Sequence, residues 1–286
     1  MLTQPDDKTG ALDSNFFECT IADGVAHLEM NRPDKANAMS PEFWEDLPRM
    51  MGDLGRDPTV RAVVLSGRGK HFTGGMDLAA FQGIMQLTQS EPGRGAYALR
   101  DLIARLQASL SSLEQARIPI IAAIHGVCLG GGIDLISACD IRLASQGASF
   151  GIEEINIGMA ADVGTLQRLP KMMPLGIVRE LTYTGRRFSA EEAKGWGLVN
   201  AVHADREAVI AAALDLAREI AAKSPLAIAG AKQAITHARD HSVADSLDQI
   251  ATWNAGMLRP EDLMAAMQAR VAKSEAKFAD LLDDAG

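Results

Sequence analysis

Three carboxylates and two glycine-rich loops are the parts of this chain whose residue types could do chemistry. Asp134 sits in GGGIDLIS, among residues that otherwise read as fully buried; Glu154 lies in SFGIEEINIG and Asp162 in GMAADVGTLQRL. A carboxyl group in an apolar neighbourhood has its pKa raised by desolvation, as a general base or acid working near neutral pH requires. The loops are HFTGGMDL (71–78) and HGVCLGGGIDL (125–135). Each leads from a strand end towards a helix, where free backbone N–H groups point outward and the helix dipole favours negative charge. Two such loops side by side could aim two donors at one carbonyl oxygen, forming an oxyanion hole. Structural readings stand beside these. Gly74-Gly75 and Gly130-Gly131-Gly132 also suit tight turns, and Asp134 suits the first turn of its own helix. Asp162 suits the cap of the helix beginning VGTLQRL, and one of Glu153 and Glu154 suits a solvated surface. Spacing alone does not choose between the two sets.

The elements that must position these residues follow from periodicity. Residues 16–30 read as two strands around the Asp23-Gly24 turn, with Ala26, Leu28 and Met30 alternating on one face. Ser40-Pro41 is a helix start, followed by the apolar stripe of Phe43, Leu47 and Leu54. RAVVLSG (61–67), IPIIAAIHG (118–126) and DIRLAS (140–145) are short buried strands. Leu99, Leu102, Ile103, Leu106, Leu110 and Leu113 recur at helical steps between the first two. Strand alternating with helix predicts an α/β domain with largely parallel pairing. Beyond about residue 185 the texture turns helical. Ser189-Ala-Glu-Glu192 is a capping box, and helices are expected at 206–222, 226–238, 243–257 and 260–281.

Composition narrows the function. A chain of 286 residues with 47% hydrophobic and 23% charged residues is ordinary globular material. No run of about 18 apolar residues exists to span a membrane. The net charge of −9 speaks against a nucleic-acid or anionic-lipid surface. Cys19, Cys128 and Cys139 form no C-x-x-C pair and suit a reducing compartment. MLTQPDDKTG has neither a hydrophobic signal core nor an Arg/Ser-rich transit pattern, and DDAG is no peroxisomal address, so a cytoplasmic location is expected. There is no G-x-x-x-x-G-K-[ST], G-x-G-x-x-G or G-x-S-x-G motif. His237 and His241 lack the glutamate of a zinc helix, so no metal site is expected.

MNRPDKANAMS (30–40), the G-G-M-D loop, GGGIDLISACDIRLAS (130–145) and FGIEEINIG together resemble the enoyl-CoA hydratase/isomerase (crotonase) family, from about residue 16 to the C-terminus. INIGMAADVGTLQRLP and the tail RDHSVADSLDQIATWNAGML resemble its Δ3,5-Δ2,4-dienoyl-CoA isomerase branch. The resemblance implies an α/β fold of the crotonase type, a spiral of ββα turns with a helical C-terminal trimerisation region. In those terms the chain divides into an N-terminal extension (1–15), a spiral core (16–200) and helices (201–286) that assemble a trimer or a dimer of trimers. The implied substrate is an acyl-CoA thioester, with coenzyme A as part of it and no separate cofactor, and with neither nucleic acid nor membrane insertion.

Carried over residue by residue, the resemblance makes the N–H groups of Met76 and Gly131 the oxyanion donors. Asp77 fixes its loop, and Ala36, Gly74, Gly75, Leu78 and their neighbours line the substrate site. Two glutamates occupy the positions of Asp134 and Glu154 in hydratases, which have glycine in place of Asp162. The extra acid implies proton transfer between carbon 2 and carbon 6 of a dienoyl thioester, with Glu154 serving carbon 2 and Asp162 carbon 6. The opposite assignment is equally allowed by the sequence, and Asp134 would orient or tune the pair. The alternatives are a 2-enoyl-CoA hydratase, a 3,2-enoyl-CoA isomerase, or a non-catalytic acyl-CoA-binding or RNA-binding relative. The acidic balance disfavours the RNA reading, and three retained buried acids disfavour an inert scaffold.

Overall fold

The computed structural model describes residues 14–89 and 91–282; most of the expected N-terminal extension and the final DDAG lie outside them. The strands are β1 (Phe17–Ala22), β2 (Val25–Met30), β3 (Ala62–Gly67), β4 (Ile120–Ile124), β5 (Val127–Leu129), β6 (Ile141–Ser145), β7 (Ser149–Gly151), β8 (Phe188–Ser189) and β9 (Ala201–His203). The helices are α1 (Pro41–Arg56), α2 (Leu78–Thr88), α3 (Pro92–Gln115), α4 (Gly131–Ser137), α5 (Thr165–Arg168), α6 (Leu175–Thr184), α7 (Ala190–Gly195), α8 (Arg206–Ala221), α9 (Pro225–Asp240), α10 (Val243–Met257) and α11 (Pro260–Ala272).

Six strands form one sheet in the order β1-β2-β3-β4-β6-β9, parallel except for the β1–β2 hairpin. Its middle strands β3 and β4 are buried along their whole length and are apolar but for Ser66 and Gly67, because both faces are covered. Val63, Leu65, Ile120, Ala122 and Ile124 join the main core on one face, while Ala62, Val64, Ile121 and Ala123 meet Val209, Ala213, Ala217 and Ala221 of α8 on the other. A second sheet has the order β5-β7-β8. Parallel bridges Thr73↔Cys128 and Met39↔Met76 continue it beyond β5. Successive chain turns thus place one strand in each layer. This spiral is what brings the loops at 73–77 and 129–132 side by side.

Two expectations from the sequence shift. Strand β9 pairs with β6 and α8 covers the main sheet, so the packing of the core extends past residue 200 to the end of α8. The helix expected at 260–281 ends at Ala272, because Lys273 turns left-handed (φ +51°) and its N–H closes back on Ala269 and Arg270. The tail then returns to the core, where Arg61 donates to the Phe278 carbonyl and pairs with Asp280. The remaining helices keep apolar side chains in solvent. Ile235, Val243, Leu247, Met264, Met267 and Val271 are all exposed.

Candidate active site

The loop before α2 is shaped by what its neighbours demand. Gly75 has φ +92°, and a Cβ there would stand 2.8 Å from the Leu129 carbonyl oxygen, so only glycine fits. The Met39 N–H donates to the Gly75 carbonyl (2.8 Å) and the Asp77 N–H donates to the Met39 carbonyl (3.1 Å). A strand residue bracketed in this way turns its own N–H to the opposite edge. That edge faces the loop 129–132, where Gly130 has φ +50° and its N–H donates to Gly151. A Cβ built on Gly131 would lie 4.0 Å from Met76 N. Neither the Met76 nor the Gly131 N–H donates to a protein acceptor among the described residues. The two donors expected from the resemblance are therefore adjacent and free.

A buried polar hub holds this arrangement. Asn37, fully buried at φ +51°, accepts from the Arg32 N–H and donates to the Arg68 and His71 carbonyls. The Thr73 hydroxyl donates to the Asn37 carbonyl (2.8 Å) and accepts the Gly75 N–H (3.1 Å). Asp77 pairs with Arg32, which also donates to the Ala38 carbonyl, so this carboxylate fastens its loop. Ala36, expected to offer backbone groups to coenzyme A, spends its N–H on Pro33 and accepts the Gly74 N–H at its carbonyl. Its methyl and one carbonyl lone pair remain for a ligand. Gly74 is exposed, and Leu78 opens α2, its side chain lying outside the described residues. Asn37 belongs to the segment Lys35-Ala36-Asn37, which resembles a stretch lining the coenzyme A pocket, and the structure adds its role as the centre of this hub. Sequence reading passed over Thr73, whose only signal was a polar side chain before Gly74-Gly75.

The three acids converge in the same place but play unequal parts. Asp134, 1% exposed, accepts the Thr165 N–H at Oδ1 (2.6 Å), so it secures the start of α5 rather than the first turn of its own helix. Burial raises its pKa, against the pull of the Thr165 N–H and the positive charge of Arg168. Asp162 is not the helix cap. That position belongs to Gly164, and the Asp162 carboxylate binds no other residue among those described. Its main-chain carbonyl accepts from Gln107 Nε2 of α3 (2.6 Å), and burial raises its pKa. The pair at 153–154 divides its roles. Glu153 is tied to Arg187 (3.1 Å) and Asn156 (2.9 Å) at the surface. Glu154 turns inward, its Oε1 only 3.2 Å from where a Gly130 Cβ would stand and its Oε2 buried without a partner. Burial first, then the charges of Asp134 and Asp162, push its pKa up to about 7.

The charges of Asp134 and Asp162 oppose the ionisation of Glu154, so the three acids do not titrate independently. Beside Met76 a cavity of about 500 Å³ opens, lined by Pro41, Trp44, Leu102 and Leu106 with exposed Glu45 and Arg105. The site can therefore seat an apolar chain, polarise one carbonyl and move protons. No group of three His, Cys, Asp or Glu among the described residues is arranged to hold a metal ion. Nor is any helix among them long and apolar enough to cross a membrane.

Comparison with known proteins gives the family and the fold. A family model described as enoyl-CoA hydratase/isomerase matches residues 20–280. The mitochondrial Δ3,5-Δ2,4-dienoyl-CoA isomerase of Rattus norvegicus is 47% identical over 255 residues, covering 88% of this chain and 78% of the rat protein. The peroxisomal protein of the same name from Arabidopsis thaliana is 43% identical over 90% of this chain and 93% of its own length. Among solved structures, a putative enoyl-CoA hydratase from Streptomyces coelicolor superposes with a TM-score of 0.85 at 29% identity, covering 96% of this chain and 99% of that one.

Proposed function

This chain belongs to the enoyl-CoA hydratase/isomerase family, and from that premise we propose that it is a Δ3,5-Δ2,4-dienoyl-CoA isomerase of unsaturated fatty acid oxidation. The observation that carries the reading is Asp162, an extra carboxylate without a side-chain partner, standing within electrostatic reach of Glu154 in a pocket with two free N–H donors. The substrate's thioester oxygen accepts from Met76 and Gly131. Removal of a proton from carbon 2 spreads negative charge along the conjugated chain to that oxygen, where each donor contributes about 3 kcal/mol to the transition state. Reprotonation at carbon 6 leaves the double bonds at positions 2 and 4. Carbons 2 and 6 lie at opposite ends of the conjugated system, so one carboxylate does not serve both. Glu154 takes the proton at carbon 2, Asp162 supplies one at carbon 6, and Asp134 holds the chain that carries Asp162. Only protons move. Coenzyme A arrives as part of the substrate, and the reaction calls for no cofactor.

The direct test is to incubate the purified protein with 3,5-octadienoyl-CoA and follow the absorbance of the conjugated 2,4-dienoyl thioester. No gain in absorbance would end this reading. The pKa of Glu154 makes a second expectation. Glu154 must be ionised to take the proton at carbon 2, and burial with the neighbouring charges keeps it protonated up to about pH 7. The value of kcat/KM, which reports the free enzyme, should therefore rise as pH rises through about 7. A rate that falls through that range would mean that Glu154 works as the acid and that the two carboxylates have exchanged roles.

The exposed apolar side chains of α9 to α11 support assembly into a trimer or a pair of trimers. Light scattering at micromolar concentration is expected to return one of these masses, and a monomer would contradict it. The expected cytoplasmic location gains nothing from the relatives, whose names place them in mitochondria or peroxisomes.

A further inference from the structure

We infer that Thr73 is a positioning residue that sets the separation of the two oxyanion donors. The inference rests on the reading of the Met76 and Gly131 N–H groups as those donors. Thr73 is fully buried and makes contacts to both loops and to Asn37. Its hydroxyl uses both its capacities, donating to the Asn37 carbonyl and accepting the Gly75 N–H, one residue before Met76. Its backbone N–H donates to Val127 (3.0 Å) and its carbonyl accepts from Leu129 (3.2 Å), which fixes the strand leading into the second loop. Its methyl stands where a Cβ on Gly132 would come within 2.6 Å of it, so it abuts the residue after Gly131. One side chain therefore spans the gap that the thioester oxygen must bridge.

Gly75 depends on this anchor. At φ +92° it has no steric preference of its own to hold the turn. Without the hydroxyl, the Gly75 N–H and the Asn37 carbonyl are both left unpaired inside the protein, and the turn relaxes to find other partners. A shift there moves the Met76 N–H, while the acids and the acyl cavity stay where they are. The consequence is weaker stabilisation of the developing oxyanion with substrate affinity largely kept, which is a fall in kcat at similar KM.

Thr73→Val keeps the shape and removes the hydroxyl; Thr73→Ser keeps the hydroxyl and removes the methyl. Two readouts apply to each: kcat and KM with 3,5-octadienoyl-CoA, and the absorbance maximum of bound 2,4-dienoyl-CoA. Donors at the thioester oxygen draw electron density along the conjugated chain and move that maximum to longer wavelength. Wild type and Thr73→Ser should both show the shift. Thr73→Val should lose most of it, with kcat lowered roughly 10- to 100-fold and KM little changed. Should Thr73→Val not fold, Thr73→Ala, which also lacks the hydroxyl, is read in its place. A hydroxyl-free variant with the wild-type shift and kcat overturns the inference, as does a Thr73→Ser protein as impaired as Thr73→Val. Wild type that isomerises without any shift overturns the donor reading itself, and the inference with it.

Discussion

Asp162→Asn is expected to lower kcat for 3,5-octadienoyl-CoA isomerisation by well over 100-fold, since a positioned acid or base contributes about 10² to 10⁴. The substitution keeps the size of the side chain and removes its ability to exchange a proton. It leaves the local structure alone. The bond that ties residue 162 to Gln107 is made by the main-chain carbonyl, and the start of α5 is held by Asp134 through the Thr165 N–H. The Asp162 carboxylate contributes no side-chain bond to another described residue, so the melting temperature should stay close to wild type. A variant that unfolds early would reveal a structural duty for this carboxylate. A variant that isomerises at a near-normal rate would sink the two-carboxylate mechanism.

What could be read in the sequence divides along physical lines. Strands β3 and β4 and the long helix α3 were legible because burial on two faces or one writes a regular apolar pattern. The second sheet was not. Its strands run two or three residues each, too short for any period, yet they bring the two glycine loops together. The glycines announced close approach without saying of what. Gly75 proves to be needed against the Leu129 carbonyl, and Gly130, whose φ of +50° and ψ of −119° suit glycine, lies beside the Glu154 carboxylate, partners distant in sequence. The choice between Glu153 and Glu154 rested on Arg187 and Asn156, which claim the first at the surface. Asp134 was marked as anomalous by its apolar neighbours, but its partner is a backbone N–H 31 positions away, which no local pattern encodes. Helix α8 shows the limit from the other side. Its apolar stripe was plain, and only the structure shows that the sheet covers it.

Hydration of crotonyl-CoA should proceed with kcat/KM at least roughly a hundredfold below that of dienoyl isomerisation on the same preparation, the scale of one lost proton-transfer group. Adding water across a 2-enoyl thioester requires a water molecule held by two carboxylates, each within about 3 Å of it. Glu154 is in place for one of these contacts. Asp134 is not: it is a methylene shorter than glutamate, and its Oδ1 is committed to the Thr165 N–H at 2.6 Å. Turning it to a water would unpair that N–H inside the protein, a cost of about 1–3 kcal/mol before any chemistry. Asp162 adds a further obstacle. Its charge raises the pKa of Glu154, and a second titratable carboxyl beside Glu154 offers the reacting chain a proton donor in place of water. Both reactions share the oxyanion donors and the acyl cavity, so their ratio isolates the acids from every other feature of the site. If hydration equals or exceeds isomerisation, Glu154 and a water suffice for the chemistry, and Asp162 has no part in proton transfer.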